Sequence, residues 1–111
     1  MYKIVVTEPA QQDLQGALSY IANQLKNPTA ALRLANEFEK QVSALSEMPE
    51  RYPIVSDGFL ASQAIRAFPI KNYIVFYTVH PAAERVSILR FLYGKRNWNA
   101  ILGIHSEDPE N

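Results

Sequence analysis

Residues 64–98, AIRAFPIKNYIVFYTVHPAAERVSILRFLYGKRNW, decide the fold of this chain. Tyr73 to Val79 (YIVFYTV) and Arg85 to Tyr93 (RVSILRFLY) are dense in β-branched and aromatic residues and apolar on both faces, the pattern of central strands. Gln63 to Phe68 reads as a further strand, with Pro69 interrupting it and Pro69-Ile70-Lys71-Asn72 turning the chain. His80-Pro81-Ala82-Ala83-Glu84 makes the second turn and Gly94 ends the last strand. Three strands in succession with short connections form an antiparallel meander.

Working outward, Tyr2 to Val6 is one more short strand. Thr7 and Pro9 then form a helix start, since a threonine side chain caps the first free N–H groups and proline has no N–H to lose in the first turn. Leu14, Ala17, Leu18, Ile21 and Leu25 make one apolar stripe on a helix from about Ala10 to Leu25. Asn27-Pro28 restarts the pattern, and Ala31, Leu34, Ala35, Phe38, Val42, Leu45 and Met48 carry a second stripe up to Pro49. Two long helices with so short a joint form an antiparallel hairpin. Glu50 to Ser62 reads as a loop, pinned to the body by Tyr52, Ile54 and Phe59. Asn97 to Ile104 reads as a short helix. The element order is β, α, α, β, β, β. The expected architecture is an α+β two-layer sandwich, with the helical hairpin lying on one face of the sheet and the first strand parallel to a later one.

One hundred and eleven residues make one small domain, expected over residues 1–105 with a flexible tail at 106–111. With no cysteine there are no disulfides or thiolate metal sites. No stretch approaches the ~20 apolar residues of a membrane span, and MYKIVVTEP lacks a signal-peptide core, so a soluble cytoplasmic protein is expected. The net charge of zero argues against general coating of nucleic acid. The charges are segregated, however. Arg66, Lys71, Arg85, Arg90, Lys95 and Arg96 face a single acid, Glu84, within the meander stretch. No Gly-rich phosphate loop and no metal-ligand spacing is present, so neither cofactor nor metal is expected.

Taken together, TEPAQQDLQGALSYI (7–21), PTAALRLANEFEKQVSALSEMPERYP (28–53) and IRAFPIKNYIVFYTV with VSILRFLYGKRNW (65–79 and 86–98) resemble the RelE/ParE toxin superfamily over about residues 2 to 98. The resemblance implies the toxin of a type II toxin–antitoxin module, bound by a cognate antitoxin into a hetero-oligomer. Its first reading is a ribosome-dependent mRNA endoribonuclease, and its second a ParE-like inhibitor of DNA gyrase that catalyses nothing. A sheet edge that accepts a peptide strand is a third reading, from a different class. By resemblance Arg66 and Arg96 fall on the nuclease arginines, and Tyr93 stands where many relatives carry histidine. The long helical hairpin is more typical of the gyrase inhibitors.

Cleavage by 2′-hydroxyl attack needs a base, an acid for the leaving oxygen and cations for the phosphorane charge. Arg66 and Arg96 suit the cationic role. Tyr93 is the candidate acid or base-stacking ring, and Lys95 a base if neighbouring cations depress its pKa. The competing reading makes these surface cations that bind an acidic antitoxin. Lys71, Arg90 and Trp98 are candidates for contacting RNA or antitoxin. On an ideal strand Arg90 points away from Tyr93, which favours a structural arginine paired with a carboxylate at the sheet rim. His80 and His105 read as turn and tail residues, and Tyr73 and Tyr77 as packing.

Overall fold

The computed structural model describes residues 1–94. Strand β1 (Lys3–Val6) leads into helix α1 (Glu8–Ser19), which widens into a π turn over Tyr20–Gln24. Helix α2 (Pro28–Ser43) closes with a 3₁₀ turn at Ala44–Ser46. A short helix α3 (Gly58–Ser62) precedes β2 (Arg66–Ile70), β3 (Tyr73–His80) and β4 (Arg85–Tyr93). The sheet order is β1-β4-β3-β2. β1 runs parallel to β4, and the other neighbours are antiparallel. The helical hairpin provides the crossover that a parallel pair requires.

The helix starts form as their residues dictate. Thr7 Oγ1 accepts from the Ala10 N–H at 3.4 Å and itself donates to the Ile88 carbonyl at 2.8 Å, so one hydroxyl both caps α1 and ties it to β4. Asn27 Oδ1 accepts from the Ala30 N–H at 3.1 Å and Pro28 opens α2. The π turn adds a residue to the last turn of the first helix, and this takes Leu25 off the buried stripe: it is 56% exposed, whereas Ile21 still packs on the core.

Odd-numbered β3 residues, Tyr73, Val75, Tyr77 and Val79, face the helices with Phe68 and Ile70 of β2. They meet Leu34, Phe38 and Val42 of α2 and Ala10 and Ala17 of α1. Phe38 meets Phe91 edge to face, with ring centroids 5.1 Å apart. The opposite face carries a smaller cluster of Leu60, Ile65, Phe76 and Leu92, which accounts for the two-faced apolar character of β3 and β4.

Three sequence expectations need correction. The loop at Glu50–Ser62 contains α3, too short to show any helical period. Asp57 Oδ1 caps it, accepting from Phe59 N–H (3.1 Å) and Leu60 N–H (3.3 Å). It ends in paired Ala64 N–H to Ala61 O and Ile65 N–H to Leu60 O bonds, with Ala64 at φ 56°. The residues that pin this loop are Tyr52, stacked on Phe68 at 4.2 Å, Leu60, fully buried, and Ile54, whose backbone pairs with Arg66 of β2 while its side chain stays exposed. Phe59 remains exposed. Finally, Pro69 lies within β2 rather than ending it. β2 is the sheet edge, where proline's missing donor costs no ladder bond, and Pro69 is exposed. The expected helix at Asn97–Ile104 and the tail lie outside the described residues.

Candidate functional site

The geometry at the end of β4 is set by a bulge. Phe76 pairs with Arg90 but Tyr77 pairs with Ile88, so Leu89 is the extra residue. Alternation breaks there. Ile88, before the bulge, and Phe91, after it, both lie in the helix-facing core. Tyr93, two residues beyond Phe91, follows onto the same side and packs edge to face on Tyr73 at 5.6 Å.

β1 pairs with β4 only as far as Ile88. Beyond it Asp13 of α1 takes the place of a strand: its Oδ2 accepts the Phe91 N–H at 3.0 Å. The same carboxylate holds Arg90, with Nε to Oδ2 at 2.6 Å and Nη2 to Oδ1 at 2.8 Å. That hydrogen bond raises the guanidinium pKa against the opposing effect of burial, so Arg90 stays charged. Arg90 is thus committed to Asp13. This is the pairing with a carboxylate at the sheet rim that the alternation argument expected of Arg90.

Arg66 occupies the other end of the sheet. It pairs with Tyr77 across β2–β3, and its Nη1 donates to the Tyr52 carbonyl at 2.6 Å. Tyr93 pairs with Tyr73, four residues along β3 and on the far side of it. At ~3.3 Å per residue and ~4.8 Å per strand, the two Cα positions lie roughly 16 Å apart. Arg66 and Tyr93 are therefore not neighbours in the sheet, and the Arg66 guanidinium is engaged by the Tyr52 carbonyl. Lys95, Arg96 and Trp98 lie outside the described residues. Lys71 is exposed in the β2–β3 turn with φ 57°. His80 ends β3 and its ring bonds the Thr78 hydroxyl at 3.0 Å. Among the described residues no group of His, Asp and Glu is placed to hold a metal ion, and no helix is long and apolar enough to cross a membrane.

The residues that do converge were mostly not singled out by sequence. A groove of about 360 Å³ opens between α1 and the end of β4, lined by Gln12, Asp13, Gly16, Tyr20, Tyr73 and Tyr93 among others. It continues into a cleft of about 690 Å³ past Ile21, Leu25, Asn27, Ala30 and Asn72. Arg33 and Lys71 line its far end. Tyr20 is 53% exposed and Tyr93 38%. Burial, then the neighbouring Tyr93 and Tyr20, push the Tyr73 phenol up, so it remains a neutral ring at physiological pH. Of these residues only Tyr93 and Lys71 were sequence candidates. Exposed apolar side chains at the π turn, Tyr20 and Leu25, were the available signal, but on sequence Leu25 was indistinguishable from core.

The family model described as ParE toxin of type II toxin-antitoxin system, parDE, matches residues 4–98. Among solved structures, the chain is similar to one titled "Chromosomal ParDE TA system from P. aeruginosa", at 18% identity. That likeness has a TM-score of 0.67 and covers 84% of this chain and 96% of the other. At that identity it speaks for the fold alone. No curated protein matches the sequence. The family match spans β1 through the end of the meander and its basic segment, which is the whole of the sandwich described above, and the chain belongs to the ParE toxin family of type II toxin–antitoxin systems.

Proposed function

We propose that the chain arrests growth by binding a protein target, with DNA gyrase the target, and that its cognate antitoxin relieves this arrest. The observation that carries the reading is the separation of the nuclease candidates: Arg66 is held by the Tyr52 carbonyl, roughly 16 Å from Tyr93 by strand geometry. Phosphoryl chemistry without a metal requires cation, acid and base around one phosphate. The family match to a ParE toxin supports the same direction. Ribosome-dependent mRNA cleavage is the second reading. It is favoured by the exposure of Tyr93 directly before the Gly94-Lys95-Arg96 segment.

The test is induction of the chain from a tight promoter, with plasmid supercoiling, DNA breaks and mRNA ends followed over the first minutes. Gyrase poisoning predicts altered supercoiling and DNA breaks before any loss of mRNA. Toxicity should survive Arg66→Lys combined with Tyr93→Phe. Early in-frame mRNA cuts that vanish in that double variant would replace this reading with the nuclease.

A further inference from the structure

The face of the sheet turned away from the helical hairpin has two halves. One is the apolar cluster around Leu60 and Phe76. The other lies where β3 turns into β4, and alternation fixes its members. Ile4, Val6, Tyr77, Val79, Val86 and Ile88 all lie in the helix-facing core. Their chain neighbours Lys3, Val5, Thr78, His80, Arg85 and Ser87 therefore point the opposite way. Lys3 and Arg85 are exposed and the other four partly buried. The register sets them in two rows. Lys3 pairs with Arg85 and Arg85 with His80, so three basic side chains stand abreast across β1, β4 and β3. Two strand spacings of ~4.8 Å make that row about 10 Å wide. In the second row Val5 pairs with Ser87 and Ser87 with Thr78, whose hydroxyl bonds the His80 ring at 3.0 Å.

Folding gives no reason for the basic row. Like charges directly opposite on neighbouring strands repel. Charge on an edge strand discourages association between sheets, which accounts for Lys3 on β1 but not for Arg85 and His80 on interior strands. Nor does a carboxylate offset them. The ion pair among the described residues joins Arg90 to Asp13, and Glu84, next to Arg85 in the chain, takes part in none.

We propose that this row grips the phosphate backbone of duplex DNA beside the protein target. The inference rests on the gyrase reading, since gyrase holds DNA where it acts, and adds a direct contact with that DNA. Phosphate oxygens are bound by Arg and Lys and by Ser and Thr hydroxyls, the groups that the two rows present. An acidic peptide would also match the charge. Tight protein contacts, however, centre on a buried aromatic anchor, and neither row carries an aromatic residue beyond the His80 imidazole. With a net charge of zero the chain has little long-range attraction for DNA, so the contact forms where a partner already holds the duplex. Backbone contacts of this kind carry no sequence preference.

Lys3→Gln with Arg85→Gln removes the fixed charges of the row. Both side chains are exposed and repel each other, so this double variant should show a Tm equal to or above that of the wild type. Lys26→Gln with Lys40→Gln, which removes two exposed charges elsewhere, is the control. The first measurement is fluorescence anisotropy with a labelled twenty-base-pair duplex over a tenfold range of salt. A ten-residue poly-Glu peptide and a twenty-nucleotide RNA are the competitors. The wild type should bind at low salt with a Kd of roughly 1–100 μM. The row variant should lose at least about tenfold, and its log–log salt dependence should be shallower by about 2. The control and Arg85→Lys should keep both values. No binding by the wild type, an equal loss in the control, or displacement by the peptide or the RNA more effective than by unlabelled duplex overturns the proposal. The second measurement adds purified gyrase and plasmid and follows cleaved DNA. Breaks that fall at least about tenfold in the row variant, while it still binds gyrase without DNA, support the contact. Loss of that DNA-free binding makes the row a protein contact and overturns the proposal. Equal breaks with both proteins refute the row and leave the gyrase reading standing. No breaks with either, with duplex binding as expected, overturns the gyrase reading while the row stands as a DNA contact.

Discussion

Removal of the Asp13 carboxylate should be among the most damaging single changes on the rim of this fold. Its two oxygens receive Arg90 Nε at 2.6 Å, Arg90 Nη2 at 2.8 Å and the Phe91 N–H at 3.0 Å. The side chains are 13% exposed for Asp13 and 24% for Arg90, so the pair lies between two limits. Breaking a solvent-exposed pair costs about 0–1 kcal/mol, and breaking a buried one by removing one partner about 3–5 kcal/mol. Asp13→Ala also leaves the Phe91 N–H, beyond the end of β1, without its acceptor. We expect a loss of about 2–3 kcal/mol, or a Tm lower by roughly 8–20 °C for a domain of this size. Arg90→Met leaves the Phe91 bond in place and should cost only about 1–1.5 kcal/mol. The double variant should then show a coupling of about 1 kcal/mol. Urea unfolding of the four proteins, followed by circular dichroism, measures each value. A loss below about 0.5 kcal/mol for Asp13→Ala, or strict additivity with Arg90→Met, would refute the assignment of Arg90 as a structural arginine.

Further outcomes are expected from the same physical terms. Ala64 adopts φ 56° at the end of α3 with its side chain exposed, so Ala64→Gly should stabilise by about 0.5–1 kcal/mol, read as a higher urea midpoint at unchanged slope. Leu60 is fully buried between α3 and the outer face of the sheet, so Leu60→Ala should cost about 2–4 kcal/mol by thermal unfolding. Burial raises the pKa of Tyr77, against an opposing pull from Arg66, and that of Tyr73. The folded state therefore favours the neutral phenols. Their contribution is complete below the unfolded value of about 10 and is lost as pH rises through the higher folded values. Tyr77→Phe gives up the 2.9 Å bond to the Pro49 carbonyl and should be weaker than wild type at pH 8, yet show a shallower decline in urea midpoint from pH 9 to 11.5.

Local chemistry made much of this fold readable. The stripe of α2 from Ala31 to Leu45, the caps at Thr7 and Asn27, and the two-faced runs of β3 and β4 each follow from spacing and residue type and stand in the structure, whereas Met48, expected to continue the stripe, lies past the helix and is exposed. Sequence also separated Arg90 from Tyr93 by strand alternation and set a carboxylate partner at the rim as its reading. What stayed hidden depends on contacts far apart in the chain. The bulge at Leu89 arises from pairing with β3, and Asp13 finds Arg90 across 77 positions of sequence. Leu60 looked no different from Phe59 until the sheet's second face selected one of them for burial. The family order of segments is carried by the sequence alone. The groove at Gly16 is not, because its walls come from α1, the π turn and the ends of β3 and β4, and only folding brings those surfaces together.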